Sequence, residues 1–245
     1  MTIHIGFVED DDVIRENYTE ILTDEGFTVT AFADRHAALK HFKMTLPDIV
    51  LLDVGLNGER DGGFKLCADL RHLSSRLPII FLTSRDEEFN RISGIRLGAD
   101  DYITKDISIN YLMVRIEALF YRIETLSKIE TAKIKPNQQS QDYGYLTIDC
   151  SLLSARWKES PLELSLTQFW ILNELVSNPG EIKHYDKLMR AANTCVEPNT
   201  ITAHIKSIRA RFNQIDSDFN CIRTERGIGY RWVDTYQQQT PSQQN

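Results

Sequence analysis

DIVLLDVGLNGERDGG, residues 48–63, changes character at a single residue. Ile49 to Leu52 is unbroken apolar chain, Asp53 ends it with a carboxylate, and Gly, Asn and charge follow. A strand apolar on both alternating faces is covered on both sides, as in a parallel sheet flanked by helices. Asp53 then stands at the strand's carboxyl end, where open α/β sheets bind their ligands.

Working outward, IHIGFV (3–8), FTVTAF (27–32), PIIFLT (78–83) and DDYITK (100–105) have the same strand-like character. Helix-length segments separate them: DVIRENYTEILTDEG, DRHAALKHFKM, GGFKLCADLRHL and EEFNRISGIRLG. Gly26 and Gly98 fall where helices stop, and Asp11 or Asp12 caps the first helix. The alternation predicts an α/β fold with a doubly wound, five-stranded parallel sheet of the flavodoxin-like kind. A fifth helix, from about Ile109 to Leu126, closes the unit.

The pattern divides the 245 residues into an α/β domain over 1–122, a linker over 123–142, a smaller α+β domain over 143–235 and a tail over 236–245. KIKPNQQSQDYG (133–144) has the composition of a linker; the Gln-rich tail has that of a disordered segment. Hydrophobic and charged contents of 42% and 26% are those of a soluble globular protein. No apolar run reaches the length of a membrane span. The start, MTIHIGFVEDDD, lacks the basic flank and cleavage site of a secretory signal. Cys67, Cys150, Cys195 and Cys221 fall at no metal-binding spacing and read as reduced thiols of a cytoplasmic protein.

The net charge of -7 is uneven. Residues 1–122 hold 14 Lys and Arg against 21 Asp and Glu, whereas 143–245 hold eleven of each sign. Within the latter, 199–233 carries six basic residues against three acidic ones, a patch suited to a polyanion or to a solvated helix face.

The strand ends assemble a site. Strand one delivers Glu9 and Asp10, strand three Asp53, strand four Thr83 and strand five Lys105. Carboxylates so close repel one another unless a cation sits among them, and oxygen-only ligands with room for water suit Mg²⁺. Asp53, in the centre, is placed to act as a nucleophile towards a phosphoryl group, with Lys105 and the metal neutralising charge on its oxygens.

VEDDD, LLDV…DGG, LTS and GADDYITK resemble the receiver domain of bacterial two-component response regulators across residues 1–122. The resemblance implies that Asp53 accepts a phosphoryl group from a phosphohistidine of a sensor histidine kinase. It also implies Mg²⁺ held by Asp10, Asp53, the Gly55 carbonyl and, through water, Glu9. Thr83 and Tyr102 would be switch residues that turn inward, and Lys105 the phosphate's counter-ion. The loop after Asp53 is one residue longer than usual, with Asn57 where proline is common. Asp106 replaces the proline that usually follows the lysine. A cis bond without proline costs about 2.5–4 kcal/mol, which leaves that peptide's geometry open.

In the second half, strand-like YLTIDCSLLSARW precedes helical SLTQFWILNELVSN and HYDKLMRAA, a third helix over 199–213, and the hairpin CIRTERGIGYRWV. On the third helix, Ile201, Ile205, Ile208 and Phe212 fall within about 40° of one line. Asn199, Thr202, Ala203 and Lys206 lie opposite, with Arg209 and Arg211 on the flanks. A polar face of this kind can read base edges while arginines hold phosphates, and Arg223 and Arg226 on the hairpin suit a backbone or minor-groove contact. Phe169 and Trp170 read as packing aromatics. LSLTQFWILNELVSNPGE, NTITAHIKSIRARF and IRTERGIGYRW resemble the winged-helix output domain of the OmpR/PhoB class. Thr202 stands where an acid is usual.

Together the two resemblances imply a phosphorylation-controlled regulator of transcription that binds double-stranded promoter DNA as a homodimer. They imply RNA polymerase contacts from 191–198. Helix four, strand five and helix five would form the dimer face, with Asp101 pairing with Arg115 across it, Arg91 facing Tyr111, and Tyr111 and Leu112 adding apolar contact. The residues leave other classes to weigh. An aspartyl phosphatase of the haloacid-dehalogenase type needs an acid where Gly55 stands. A flavodoxin-like cofactor binder needs Ser, Thr and Gly where EDDD stands. A receiver whose output binds protein or RNA would lack the basic helix and hairpin.

Overall fold

The computed structural model describes residues 2–56, 58–84, 88–131, 140–192 and 198–233, except the side chains of 88–91, 121–131 and 198. The chain forms two compact units, 1–114 and 115–245.

In the first unit the strands are β1 (His4–Val8), β2 (Thr28–Phe32), β3 (Ile49–Leu52), β4 (Ile79–Thr83) and β5 (Asp101–Thr104). The helices are α1 (Asp12–Asp24), α2 (Arg35–Phe42), α3 (Gly62–Leu73), α4 (Glu88–Arg96) and the start of α5 (Ile109–Thr131). The sheet order is β2-β1-β3-β4-β5, every neighbour parallel. Every residue of β3 and β4 is buried, as continuous apolar runs require between two layers of helices. The register aligns Val8 with Leu52 and Thr83 with Thr104, so the carboxyl ends share one edge. Asp11 caps α1 by accepting from the Ile14 N–H at 3.0 Å. The Lys105–Asp106 peptide is trans; no cis bond occurs among the described residues.

The second unit, which takes in the rest of α5, has an antiparallel sheet of β6 (Ser140–Tyr143), β7 (Leu146–Asp149), β8 (Ser154–Trp157) and β9 (Ser160–Leu162). Three helices follow: α6 (Leu166–Val176), α7 (Tyr185–Ala192) and α8 (Pro198–Ile215). β10 (Ile182–His184), β11 (Ile222–Glu225) and β12 (Gly229–Trp232) form a second sheet in the order β10-β12-β11. An aromatic cluster fastens α8 from behind. Phe212 stacks on Phe219 at 3.9 Å between centroids and meets the edge of Trp157 at 5.2 Å. The Trp157 indole donates to Asp216 at 3.1 Å. Phe169 is buried in this core and Trp170 packs against it.

The linker expected over 123–142 is shorter than its composition implies. α5 continues to Thr131 and β6 begins at Ser140. β6 is SQDY, polar and mostly exposed, so no alternation of apolar residues marks it. β10 is also new, a three-residue strand too short for a periodic signal.

His204, inside α8, is fully buried, and neither ring nitrogen has a hydrogen-bond partner among the described residues. Burial pushes its pKa down to about 3 from 6.5. The imidazole is therefore neutral in the fold, while the unfolded chain takes up a proton below pH 6.5. That difference costs stability at about 1.4 kcal/mol per pH unit as the pH falls from 6.5 towards 3. Trp157, Trp170 and Trp232 all lie in this unit, so tryptophan fluorescence during urea unfolding reads it selectively. His204→Leu is expected to lose stability more slowly than the parent on acidification between pH 6.5 and 4.5. Parallel curves for the two proteins would mean the buried imidazole is not the titrating group.

Candidate functional site

The carboxyl ends of β1, β3, β4 and β5 converge as the topology requires. Oxygens of Glu9, Asp10 and Asp53 all lie within 4.8 Å of one another. Lys105 Nζ sits 2.6 Å from Glu9 Oε2 and 3.0 Å from Asp53 Oδ2, bridging the two acids. Asp53 Oδ1 accepts from the Val54 N–H at 2.7 Å. A cavity of about 380 Å³ opens over these groups, lined by Asp10, Asp53, Gly55, Thr83 and Ser84 and by the loop that follows Gly55. Burial raises the Glu9 pKa despite the pull of Lys105, and the Asp53 charge raises it further. Burial works against the Lys105 charge, but its contact with Glu9 and the charges of both acids outweigh it and hold its pKa up. Three carboxylates against one ammonium leave this edge negative. The donors are all hard oxygens on an open cavity, which is the ligand set that suits Mg²⁺.

Two supports of this site escaped the sequence reading. Arg15 reaches back from α1 to donate to the Glu9 carbonyl at 2.9 Å and the Asp10 carbonyl at 3.4 Å, and it pairs with Asp12. It fixes the turn from which both acids project. Gly63, in the first turn of α3, lies so close to Asp53 that an added Cβ would stand 1.9 Å from the Asp53 carbonyl oxygen. Its N–H also donates to the Val54 carbonyl at 2.9 Å. The helix thus starts directly on the backbone that carries the central acid.

In the second unit, α8 is buried at Thr200, Ile201, Ala203, His204, Ile205, Ser207, Ile208 and Phe212. A broad buried face replaces the narrow seam expected from its isoleucines. Ser207 is polar yet buried because Gln168 of α6 donates to its hydroxyl at 3.1 Å. Exposed residues recur at 199, 202, 206, 210 and 213, one stripe at helical spacing.

Residues 5–117 match the response regulator receiver domain and 159–232 the C-terminal domain of transcriptional regulatory proteins. The transcriptional regulatory protein CreB of Escherichia coli K12 is 31% identical over 229 residues, covering 92% of this chain and 96% of the relative. That pairing of two domains over nearly the whole length decides the family. The chain is a response regulator of the OmpR/PhoB class. The phosphate regulon regulator PhoB of the same strain is 30% identical over 237 residues, covering 95% and 98%. A solved structure of a RitR mutant shares the fold, with a TM-score of 0.74 at 20% identity over 95% of this chain and 99% of that one. This response regulator therefore joins a receiver, the partner of a histidine kinase, to a DNA-binding transcriptional output domain. An output that binds protein or RNA is not favoured. No helix among the described residues is long and apolar enough to cross a membrane.

Several expected residues stand elsewhere than the regulator's sequence implied. Tyr102 is buried and tilted against Phe81 at 5.9 Å, already turned inward. Ala203 is buried, so it leaves the exposed face. Arg209 is engaged inside the output domain, donating to the Ile222 carbonyl at 2.7 Å and the Thr224 hydroxyl at 2.9 Å, with its guanidinium over the Tyr230 ring. Burial lowers its pKa, as expected of a strut between α8 and the hairpin. Asn199, Thr202, Lys206, Arg223 and Arg226 are exposed and Arg211 half-buried. Asp101 and Arg115 are only 3% and 4% exposed, so neither is presented to a second copy in this conformation. Leu112 is buried too, while Tyr111 and Val114 are exposed. The Arg91 side chain, and residues 193–197 with the side chain of 198 in the 191–198 segment read as touching RNA polymerase, lie outside the described residues.

Gly63→Ala is expected to force α3 off the Asp53 backbone, at a cost of about 1–3 kcal/mol typical of overpacking. Urea unfolding followed by far-ultraviolet circular dichroism measures it. Unchanged stability would show that the first turn of α3 gives way without cost.

Proposed function

We propose that Asp53 is the phosphoryl acceptor of this response regulator and that its phosphorylation drives a homodimer onto promoter DNA. The observation that carries the reading is Lys105 bridging Glu9 and Asp53 beside the open cavity. Asp10, Asp53 and the Gly55 carbonyl would hold Mg²⁺, with Glu9 behind them through water; when bound, the ion neutralises charge on phosphoryl oxygens. An Asp53 oxygen attacks the phosphorus of the kinase phosphohistidine. The new O–P bond forms as the P–N bond breaks, and the electron pair stays on the imidazole nitrogen. Lys105 is positioned to take up charge on the transferred group, and the Thr83 hydroxyl, at the end of β4, to donate to one of its oxygens.

Tyr111 and Val114 supply the exposed apolar surface on α5 through which the receivers would pair. An exposed ion pair contributes only about 0–1 kcal/mol, so apolar contact has to dominate. RNA polymerase is the further partner that the 191–198 segment would meet. Acetyl phosphate with Mg²⁺ is expected to label Asp53, as mapped by mass spectrometry, and to convert the protein to a dimer in sedimentation. Equal labelling of Asp53→Ala would sink the assignment.

On the output domain, the stripe of Asn199, Thr202 and Lys206 would read bases, while Arg211, Arg223 and Arg226 hold phosphates. Lys206→Ala is expected to lose about 1–3 kcal/mol of discrimination between sites. Arg226→Ala is expected to weaken all sequences alike and lower the salt slope by about one. Selection from a random DNA pool, followed by binding titrations at several salt concentrations, separates the two. An unchanged motif for Lys206→Ala would mean that another face reads the DNA.

A further inference from the structure

The loop after Asp53 carries a charge that the pocket chemistry has not yet used. Leu56 and Glu59 exchange backbone hydrogen bonds, 3.1 Å from the Leu56 N–H and 2.9 Å from the Glu59 N–H. Gly58 between them sits at φ +75°, a conformation that favours glycine. Leu56 is buried and anchors the turn. Glu59 is neutralised from outside the pocket, 2.8 Å from Lys65 and 3.6 Å from Arg35. The Gly62 N–H closes back onto the Glu59 carbonyl at 3.1 Å. The residue after this pinned turn is Arg60, which lines the same cavity as Asp10, Asp53 and Thr83.

Charge gives Arg60 a purpose. Three carboxylates outnumber the Lys105 ammonium, and Mg²⁺ brings the site close to neutral before any phosphoryl group arrives. A dianionic donor then meets a pocket with no positive charge to spare. A positive side chain on a residue that lines the cavity supplies that charge, and it also opposes the metal. We propose that Arg60 is an anion-binding residue of the phosphoryl pocket, which favours anionic phosphodonors and the phosphoryl group at the expense of Mg²⁺ affinity. The proposal rests on Asp53 being the acceptor.

Two binding measurements on the full chain test it, using Mg²⁺ alone and then fluoroberyllate at saturating Mg²⁺, both by calorimetry. Arg60→Gln is expected to bind fluoroberyllate about two- to fivefold more weakly and Mg²⁺ tighter by a similar factor, the range set by one exposed charge. Arg60→Lys, which keeps the charge, should return both constants towards the parent. Opposite signs for anion and cation are the signature, because a distorted loop would weaken both. Both constants weakening together, or neither moving, overturns the role of Arg60. A parent protein that binds neither probe overturns the acceptor reading itself and this inference with it.

Discussion

A single ammonium shared by two buried acids is the contact on which the receiver depends. Lys105 comes from the end of β5, Glu9 from the end of β1 and Asp53 from the end of β3, so their ion pairs tie non-adjacent strands across one sheet edge. A carboxylate buried without a cation is driven towards protonation. The sheet tolerates charged groups at this edge only because they are held against one another, and the rest of the unit keeps them there. Arg15 fixes the first acidic turn, and α3 starts against the backbone of the central acid.

The output domain follows a different logic, in which buried polar groups serve to orient its elements. Gln168 accepts from the Ser165 N–H at 3.1 Å, capping its own helix, and joins α6 to α8 by donating to Ser207 at 3.1 Å. Arg209 joins α8 to β11. With helix and hairpin locked to each other, the exposed residues of both are presented as one rigid surface. That is the condition under which several weak contacts to DNA add up without each being ordered anew.

The parallel sheet and its acidic edge were legible because both signals are local. Apolar runs such as Ile49–Leu52 mark doubly covered strands, and the topology then dictates which residues leave their carboxyl ends. What escaped was set by packing in three dimensions. A helical wheel makes Ala203 polar-facing and Arg209 a flank, because it cannot see that α8 is enclosed on most sides. The resemblance put Asp101 and Arg115 on an exposed dimer face, yet both are buried. β6 has no apolar pattern, so only its pairing with β7 defines it. Gly63 carries no signal of its own; the need for a bare Cα arises from how closely α3 meets Asp53.

The aromatic anchor behind α8 has a consequence for how such a regulator can change over generations. Phe212, Phe219, Trp157 and Trp232 hold the helix from its inner side, and none of them lies on the exposed stripe. Substitutions at 199, 202, 206, 210 and 213 therefore leave the anchor untouched. Exposed positions away from a core usually shift stability by no more than about 0.5 kcal/mol. Lys206, Ala210 and Asn213 can therefore change residue type while the fold stays put, whereas Thr202 also accepts from the buried Tyr230 hydroxyl at 3.3 Å. If that stripe reads DNA as proposed, duplicated copies of such a gene can acquire new operators without first acquiring a new scaffold.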